Sequence, residues 1–294
     1  MVVAALPREV YDRIVLQLPL VEFQHVIQAT CRRYSLSWYL SKVYPQSVIV
    51  PDDVSSINAA INMLSSLAGD QRGVVLVKPG KYAESVRVTY HCHMIGLGKR
   101  DQVVIEAPGW ESALVFAGLG GQQVPSQLGF SSFRSGEDAI VENITFRCRN
   151  EHMRGRCVYI VMGQPELRGC DVFGGVVVSG LCTSPVFTEC QVHGARGNGL
   201  YFTDHSSASL QCSYVEKHGK NGVLVDRCSR PRILRNVIRS NAACGIRIFS
   251  GSQCIDPAAL IEGNVMDSNG VAEVSHTPRR VDTEDSDTDY EAEN

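Results

Sequence analysis

Pro165-Glu166-Leu167-Arg168-Gly169-Cys170-Asp171-Val172-Phe173-Gly174-Gly175-Val176-Val177-Val178 decides the fold, because both of its halves return. The first half reads Pro or Ala, any residue, Leu/Phe/Ile, two residues, Cys/Ser/Asn, any residue, Val/Ile/Met. It recurs at Pro185-x-Phe187-xx-Cys190-x-Val192, Ala208-x-Leu210-xx-Ser213-x-Val215, Pro231-x-Ile233-xx-Asn236-x-Ile238 and Ala259-x-Ile261-xx-Asn264-x-Met266. The copies start 20, 23, 23 and 28 residues apart. The second half, Gly175-Val176-x-Val178, returns at Gly199-Leu200-x-Phe202, Gly222-Val223-x-Val225 and Gly245-Ile246-x-Ile248. Self-similarity at this period means stacked units, not one compact core. Each unit holds short apolar-x-apolar segments of period 2, parted by Gly, Asn, Ser and Asp, with no helical stretch between them. That pattern predicts a mainly β fold, a right-handed parallel β-helix whose coils stack at about 4.8 Å.

Stacking places like residues above like. Leu167, Phe187, Leu210, Ile233 and Ile261 are expected to form one interior ladder, and Val172, Val192, Val215, Ile238 and Met266 another. The column Cys170, Cys190, Ser213, Asn236, Asn264 reads as a corner where small polar groups bond the turning backbone. The glycine column reads as the next corner, where positive φ is tolerated.

Working outward, residues 48–272 form the expected β-helix. Pro51-Asp52-Asp53 opens a helix over 54–68, with Val54, Ile57, Ile61 and Leu64 on one face, suited to cap the first coil. Residues 118–138 are rich in Gly, Gln and Ser and read as a protruding loop. Residues 273–294 read as a disordered acidic tail. Its last part carries Asp282, Glu284, Asp285, Asp287, Asp289, Glu291 and Glu293, and the net charge of the whole chain is −3. Without those seven, 24 acidic side chains face 28 basic ones, so the body is mildly basic.

The eleven cysteines, the absence of a signal-peptide pattern at Met1–Glu9 and the lack of a long apolar run lead to the expectation of reduced thiols, a cytoplasmic or nuclear location and no membrane partner. No nucleic-acid partner and no cofactor are expected.

Residues 1–47 predict a small helical unit. Val10, Ile14 and Leu18 recur every four residues up to Pro19, and Phe23, Ile27, Cys31 and Tyr34 line a second segment. Over about 40 residues the order Leu6-Pro7-x-Glu9, Ile14, Leu18-Pro19-Leu20, Phe23, Cys31-Arg32-Arg33-Tyr34 resembles an F-box. The remainder is similar to the β-helix of F-box proteins that carry such repeats, and to that of the Shc-binding, midbody-associated family. The opening Val77-x-Pro79-Gly80-x-Tyr82-x-Glu84 through Gly96-x-Gly98 is shared by both and by pectin methylesterases.

The F-box resemblance implies a substrate-recognition subunit of a cullin–RING ubiquitin ligase, without an active site of its own. Leu6, Pro7, Glu9, Ile14, Leu18, Pro19, Leu20, Phe23, Cys31 and Arg32 would bind the F-box adaptor on its cullin scaffold, and the β-helix an unknown protein substrate. One alternative is a midbody-type scaffold in which the head only caps the β-helix. A second is a carbohydrate-binding or polysaccharide-acting β-helix.

Candidate chemistry is sparse. Asp171-Val172-Phe173-Gly174-Gly175 resembles the catalytic aspartate strand of pectin methylesterases, but their second Asp and their Arg have no counterpart in register. Asp171 is therefore expected on the outside of a rung. Asp204 and Asp226, one coil apart, are the one carboxylate pair that glycoside hydrolysis would need, and also suit solvated turns. No catalytic residue is assigned. His91-Cys92-His93 offers two histidines on one strand face, too few ligands for a metal. Arg227, Arg230, Arg232, Arg235, Arg239 and Arg247 crowd the last coils, either as a solvated face or as an anion-binding patch for an acidic substrate segment or the acidic tail. Thr277-Pro278 has a proline-directed phosphorylation pattern, and Ser286 and Thr288 an acidophilic one.

Overall fold

The computed structural model describes residues 16–17, 42–44, 46–67, 73–89, 91–117, 138–148, 156–250 and 261–278. The described strands fall into three parallel sheets of nine, eight and eight strands that wind round one interior. The first sheet stacks Ser47–Val50, Val74–Val77, His93–Gly96, Ile140–Glu142, Glu166–Arg168, Val186–Thr188, Ser209–Gln211, Arg232–Leu234 and Ile261–Glu262. The second stacks Gly80–Tyr82, Val103–Ala107, Thr145–Cys148, Asp171–Phe173, Gln191–His193, Tyr214–Glu216, Val237–Arg239 and Val265–Asp267. The third stacks Val86–Arg87, Leu114–Phe116, Arg156–Ile160, Gly175–Ser179, Leu200–Thr203, Val223–Val225, Cys244–Ser250 and Ala272–Pro278. Every neighbour in a sheet is one coil away, which is the topology of a parallel β-helix.

The register is the one that the repeats predict. Leu167 pairs with Phe187, Phe187 with Leu210, Leu210 with Ile233 and Ile233 with Ile261. The ladder also runs back through Val141, Met94, Val75 and Val48. Val172, Val192, Val215, Ile238 and Met266 stack in the second sheet. Inward side chains of all three sheets join one continuous apolar core. Because no coil has a core of its own, each is stabilised by its neighbours.

The expected capping helix is present as α1, Ile57–Leu67. Ile57, Ala60, Ile61 and Leu64 join the interior, so the helix seals the first coil. The Glu84 carboxylate holds its N-terminus, accepting from the Ile57 N–H (2.9 Å), the Asn58 N–H (3.1 Å) and the Ser56 hydroxyl (2.9 Å). A negative charge there also complements the helix dipole.

The polar corner between the first and second sheets is a bonded ladder. The Cys190 N–H donates to Ser213 Oγ (3.1 Å), the Ser213 N–H to Asn236 Oδ1 (2.9 Å) and the Asn236 N–H to Asn264 Oδ1 (2.9 Å). The glycine column differs from expectation. Gly199, Gly222 and Gly245 are not among the positive-φ residues. They are glycines for space. A Cβ on Gly222 would lie 2.7 Å from the carbonyl oxygen of Gly245 and 2.7 Å from Asn241 Nδ2.

The third sheet runs on to Pro278, so folded chain extends into the stretch that the sequence assigned to the tail. The loop 118–137 and the tail from 279 onward lie outside the described residues.

Candidate functional site

Along the third sheet, the outward residue of each strand is followed two positions later by a second outward residue at the strand's end. Register places Ser179 beside Thr203, and its continuation places Thr203 beside Asp226. Asp204, with φ 55, turns the chain away just after this row. Ser179, Thr203, Asp204, Asp226 and Arg227 therefore converge at one corner of three successive coils.

Their bonds tie the two carboxylates together. The Ser179 hydroxyl donates to Asp204 Oδ2 at 2.6 Å, and Arg227 Nη1 donates to Asp204 Oδ1 at 3.2 Å. The Arg227 backbone N–H donates to Asp226 Oδ1 at 2.7 Å, and the Tyr201 hydroxyl lies 3.4 Å from Asp226 Oδ2. One arginine thus serves both acids, with its side chain on one and its main chain on the other. Asp226 is buried, whereas the Asp204 and Arg227 side chains keep 40% and 30% of their surface and open the site to solvent. The Thr203 hydroxyl is buried beside Tyr201 and Asp204, and its contact acts to lower the pKa of each.

Burial alone would raise the Asp204 pKa, but the bonds from Ser179 and Arg227 outweigh it and hold the carboxyl below its ordinary value. Burial pushes the Tyr201 phenol up, and Asp226 adds to the rise, so Tyr201 keeps its proton as a donor. The corner thus presents an ionised carboxylate, a guanidinium, a second carboxyl and hydroxyl groups within a short span. Such a set hydrogen-bonds a polyhydroxylated ligand from several sides.

Asp204 and Asp226 were legible as a pair from their one-coil spacing. Ser179, Thr203 and Tyr201 were not singled out. They occupy outward positions of the third-sheet strands, and aligning those columns would have found them.

The other candidates disperse. Arg227 belongs to the site just described. Arg232 lies on the outer face of the first sheet and Arg235 in the turn that follows it. Arg239 lies on the second sheet, bonded to Glu216 at 2.8 Å, and Arg247 lies on the third over the Phe249 ring at 4.6 Å. Arg230 is exposed at the corner between the third and first sheets. Six arginines that crowd in sequence are spread round the coil, because one turn of the helix takes only about 23 residues.

Asp171 points outward from the second sheet and meets His193 Nε2 at 2.7 Å. Cys92 is inside and His93 outside, 3.3 Å from Glu142, as strand alternation predicts. Among the described residues no three His, Cys, Asp or Glu side chains gather as a metal site requires. Thr277 lies in the last strand of the third sheet, in register with Phe249. The adaptor residues Leu6, Pro7, Glu9, Ile14, Leu18, Pro19, Leu20, Phe23, Cys31 and Arg32, with Ser286 and Thr288, lie outside the described residues.

No curated protein matches the sequence. Residues 135–278 match the family model described as the right-handed β-helix region. Among solved structures, the Agl-KA catalytic domain aligns with a TM-score of 0.51 at 14% identity, over 78% of this chain and 44% of that one. The A-module of a mannuronan C-5 epimerase from Azotobacter vinelandii aligns at 0.37 and 15%, over 76% and 77% of the two chains. The rice weevil pectin methyl esterase aligns at 0.38 and 11%, over 84% and 95%. At these identities the likeness is one of fold, and the chain spans less than half the length of the first structure. Even so, the first neighbour is a catalytic domain. That corrects the expectation of a chain with no enzymatic role: the fold is one on which catalysis is built.

Proposed function

We propose, from the right-handed β-helix region at residues 135–278, that this chain binds an extended carbohydrate at the Asp204–Arg227–Asp226 corner and acts on it by acid–base chemistry. The observation that carries the reading is the double use of Arg227, which holds two carboxyls of adjacent coils at one place. Ionised Asp204 suits the role of base or nucleophile, and Asp226 supplies the second carboxyl that cleavage of a glycosidic bond requires. Arg227 and Ser179 position Asp204, and the guanidinium offers donors to sugar oxygens. The carbohydrate class of the neighbours, an epimerase of mannuronan and a pectin methyl esterase by their names, agrees with this reading without carrying it.

The test is a panel of neutral and acidic polysaccharides, scored for binding and for new reducing ends or altered esters. The expected result is turnover of at least one polymer, lost by more than about a hundredfold in Asp204→Asn and in Asp226→Asn, with melting temperatures near that of the wild type. Failure of the wild type to bind or turn over any polymer, or activity equal to that of the wild type in either variant, overturns the proposal.

A second reading concerns residues 1–47 and rests on their double Leu-Pro frame. There the F-box adaptor and its cullin scaffold are the partners, and the β-helix corner holds the protein destined for ubiquitin transfer. Leu18→Asp with Pro19→Ala places a charge in the apolar contact and is expected to abolish adaptor capture. Retained capture by that variant, or none by the wild type, removes the reading.

A further inference from the structure

Two strands of one coil bring a cysteine each to the corner between the second and third sheets. Thr145–Cys148 of the second sheet ends on Cys148, and Arg156–Ile160 of the third opens with Arg156-Cys157. Along the second-sheet strand Phe146 is inward and Arg147 outward, so Cys148 faces the interior and packs against the core. Along the third-sheet strand Val158 and Ile160 are inward, so strict alternation would send Cys157 outward. It is instead fully buried in the same core, because the strand bulges there. Arg156 pairs with Gly175 and Val158 with Val176, which leaves Cys157 as the extra residue. A bulge of this kind re-aims a side chain. Room for it comes from Gly174 of the next coil, where a Cβ would lie 2.7 Å from the Cys157 Cβ.

We infer that Cys148 and Cys157 are a redox-responsive pair, which a peroxide closes to a disulfide across this corner and a thiol reductant reopens. Cys148 Sγ lies 3.7 Å from the Arg156 carbonyl oxygen, one peptide bond from Cys157, and the two side chains are hydrogen-bonded to each other. Both are thiols in this structure, and they differ in access: Cys148 is half-buried and Cys157 fully buried. The bond from Cys157 lowers the Cys148 pKa, against its burial, whereas burial pushes the Cys157 thiol well up. Cys148 is therefore the sulfur that a peroxide reaches, and Cys157 the one that keeps its proton until the second step.

The Cys148 thiolate attacks one oxygen of hydrogen peroxide, the O–O bond breaks, and the departing hydroxide takes up a proton, leaving a sulfenic acid and water. The Cys157 sulfur then attacks the Cys148 sulfur, the S–O bond breaks, and hydroxide leaves with the Cys157 proton as water. Two thiols and one peroxide give one disulfide and two waters. A second pair, Cys170 and Cys190, is also hydrogen-bonded, between adjacent coils, but both members are fully buried and out of a peroxide's reach. The Cys148–Cys157 bond closes the coil on which Gly175–Ser179 stacks, and with it Ser179 of the Asp204 corner.

The test is peptide mapping by mass spectrometry of the full chain, without reductant, after brief exposure to hydrogen peroxide. Trypsin cuts after Arg147, Arg149, Arg156 and Arg168, so the bond joins Cys148-Arg149 to the peptide 157–168. That linked pair is expected to form at least about tenfold faster than any oxidation at Cys170 or Cys190, and to vanish on adding dithiothreitol. In Cys157→Ser the Cys148 sulfenic acid should persist and be captured by dimedone, and in Cys148→Ser the Cys157 thiol should survive the same exposure. Should a serine variant fail to fold, the wild-type map decides by itself. A wild type in which Cys148 keeps its thiol, or bonds to a cysteine other than Cys157, overturns the inference. So does a Cys157 that oxidises as fast in Cys148→Ser as in the wild type.

Discussion

Two corners of the coil turn the chain on left-handed residues and differ in what their glycines are for. Between the first and second sheets the turn residues Asn143, Gly169, Glu189, Cys212, Arg235 and Gly263 all have φ between 49° and 66°, and four of the six are not glycine. Between the second and third sheets Lys217, Ser240 and Ser268 do the same at 60°, 56° and 57°. The left-handed conformation costs an ordinary residue roughly 1–2 kcal/mol. Both corners meet that cost with a polar ladder just behind the turn. At the second corner the Ala195 N–H donates to His218 Nδ1 (3.1 Å), the His218 N–H to Asn241 Oδ1 (3.2 Å) and the Asn241 N–H to Asn269 Oδ1 (3.2 Å).

In the repeated coils from residue 169 onward, only the second corner needs its glycines for space. A Cβ on Gly199 would lie 2.4 Å from His218 Nε2, one on Gly222 2.7 Å from Asn241 Nδ2, and one on Gly245 2.8 Å from Asn269 Nδ2. Each glycine of one coil leaves room for the ladder side chain of the next. The difference teaches that the repeated glycines are set by what stacks above them, and that the backbone strain sits elsewhere, on residues that show no pattern.

The largest break in this comparison comes from filling the space. Gly222→Ala forces a methyl group against the Gly245 carbonyl oxygen and the Asn241 side-chain amide, so the expected loss is about 3 kcal/mol, with coils on both sides loosened. Urea midpoints against the wild type measure it. A loss of about 0.5 kcal/mol or less, that of an ordinary surface change, would mean that the stack relaxes there and that space is not the reason for glycine.

Removing a ladder side chain comes next. Asn236→Ala deprives the Ser213 N–H of its acceptor and the Leu210 carbonyl of the Asn236 Nδ2 donor at 2.9 Å, both in buried surroundings. Unsatisfied groups of this kind put the cost at about 2–3 kcal/mol. Asn236→Ser, which restores the residue found one coil earlier, should recover at least half of it.

His218 sharpens the comparison through pH. It stands where Asn241 and Asn269 stand in the coils above, with Nδ1 accepting from Ala195 and Nε2 meeting the Val192 carbonyl oxygen at 3.0 Å. Burial is the main cause that takes its pKa down to about 4. The unfolded imidazole keeps its usual value near 6.5, so between the two values the unfolded chain binds the extra proton. The contribution is therefore whole above about pH 6.5 and is lost as pH falls toward 4, by about 2 kcal/mol between pH 7 and pH 5. Stability curves at those two pH values measure the slope. His218→Asn, which supplies the ladder's own residue, is expected to flatten it, and an unchanged slope in that variant would place the titration elsewhere.

The ladders were readable because alternation of period 2 fixes which face each residue takes, so that Leu167, Phe187, Leu210 and Ile233 could be stacked from spacing alone. The Asn236 corner was readable because its members are all small and polar. The second ladder was missed because Ala195, His218 and Asn241 share no chemistry, only a position. The candidate site was half visible. Asp204 and Asp226 are charged and one coil apart, but Ser179, Thr203 and Tyr201 matter through where they point.

The smallest effect belongs to a glycine that the same reasoning releases. Gly169 has φ 57, and a Cβ there would meet nothing within 4 Å. Only the conformational term remains, so Gly169→Ala should cost about 1 kcal/mol. Part of that is returned because alanine narrows the unfolded ensemble. The column itself supports the estimate, since Glu189, Cys212 and Arg235 hold the same φ in the following coils without disturbing the register. Measured side by side in urea, Gly169→Ala and Gly222→Ala carry the same chemical change at two glycines and should differ by about 2 kcal/mol or more. Equal losses would mean that φ and space cannot be separated in this coil. A larger loss at Gly169 would reverse the assignment and make the first corner, not the second, the place where glycine is required.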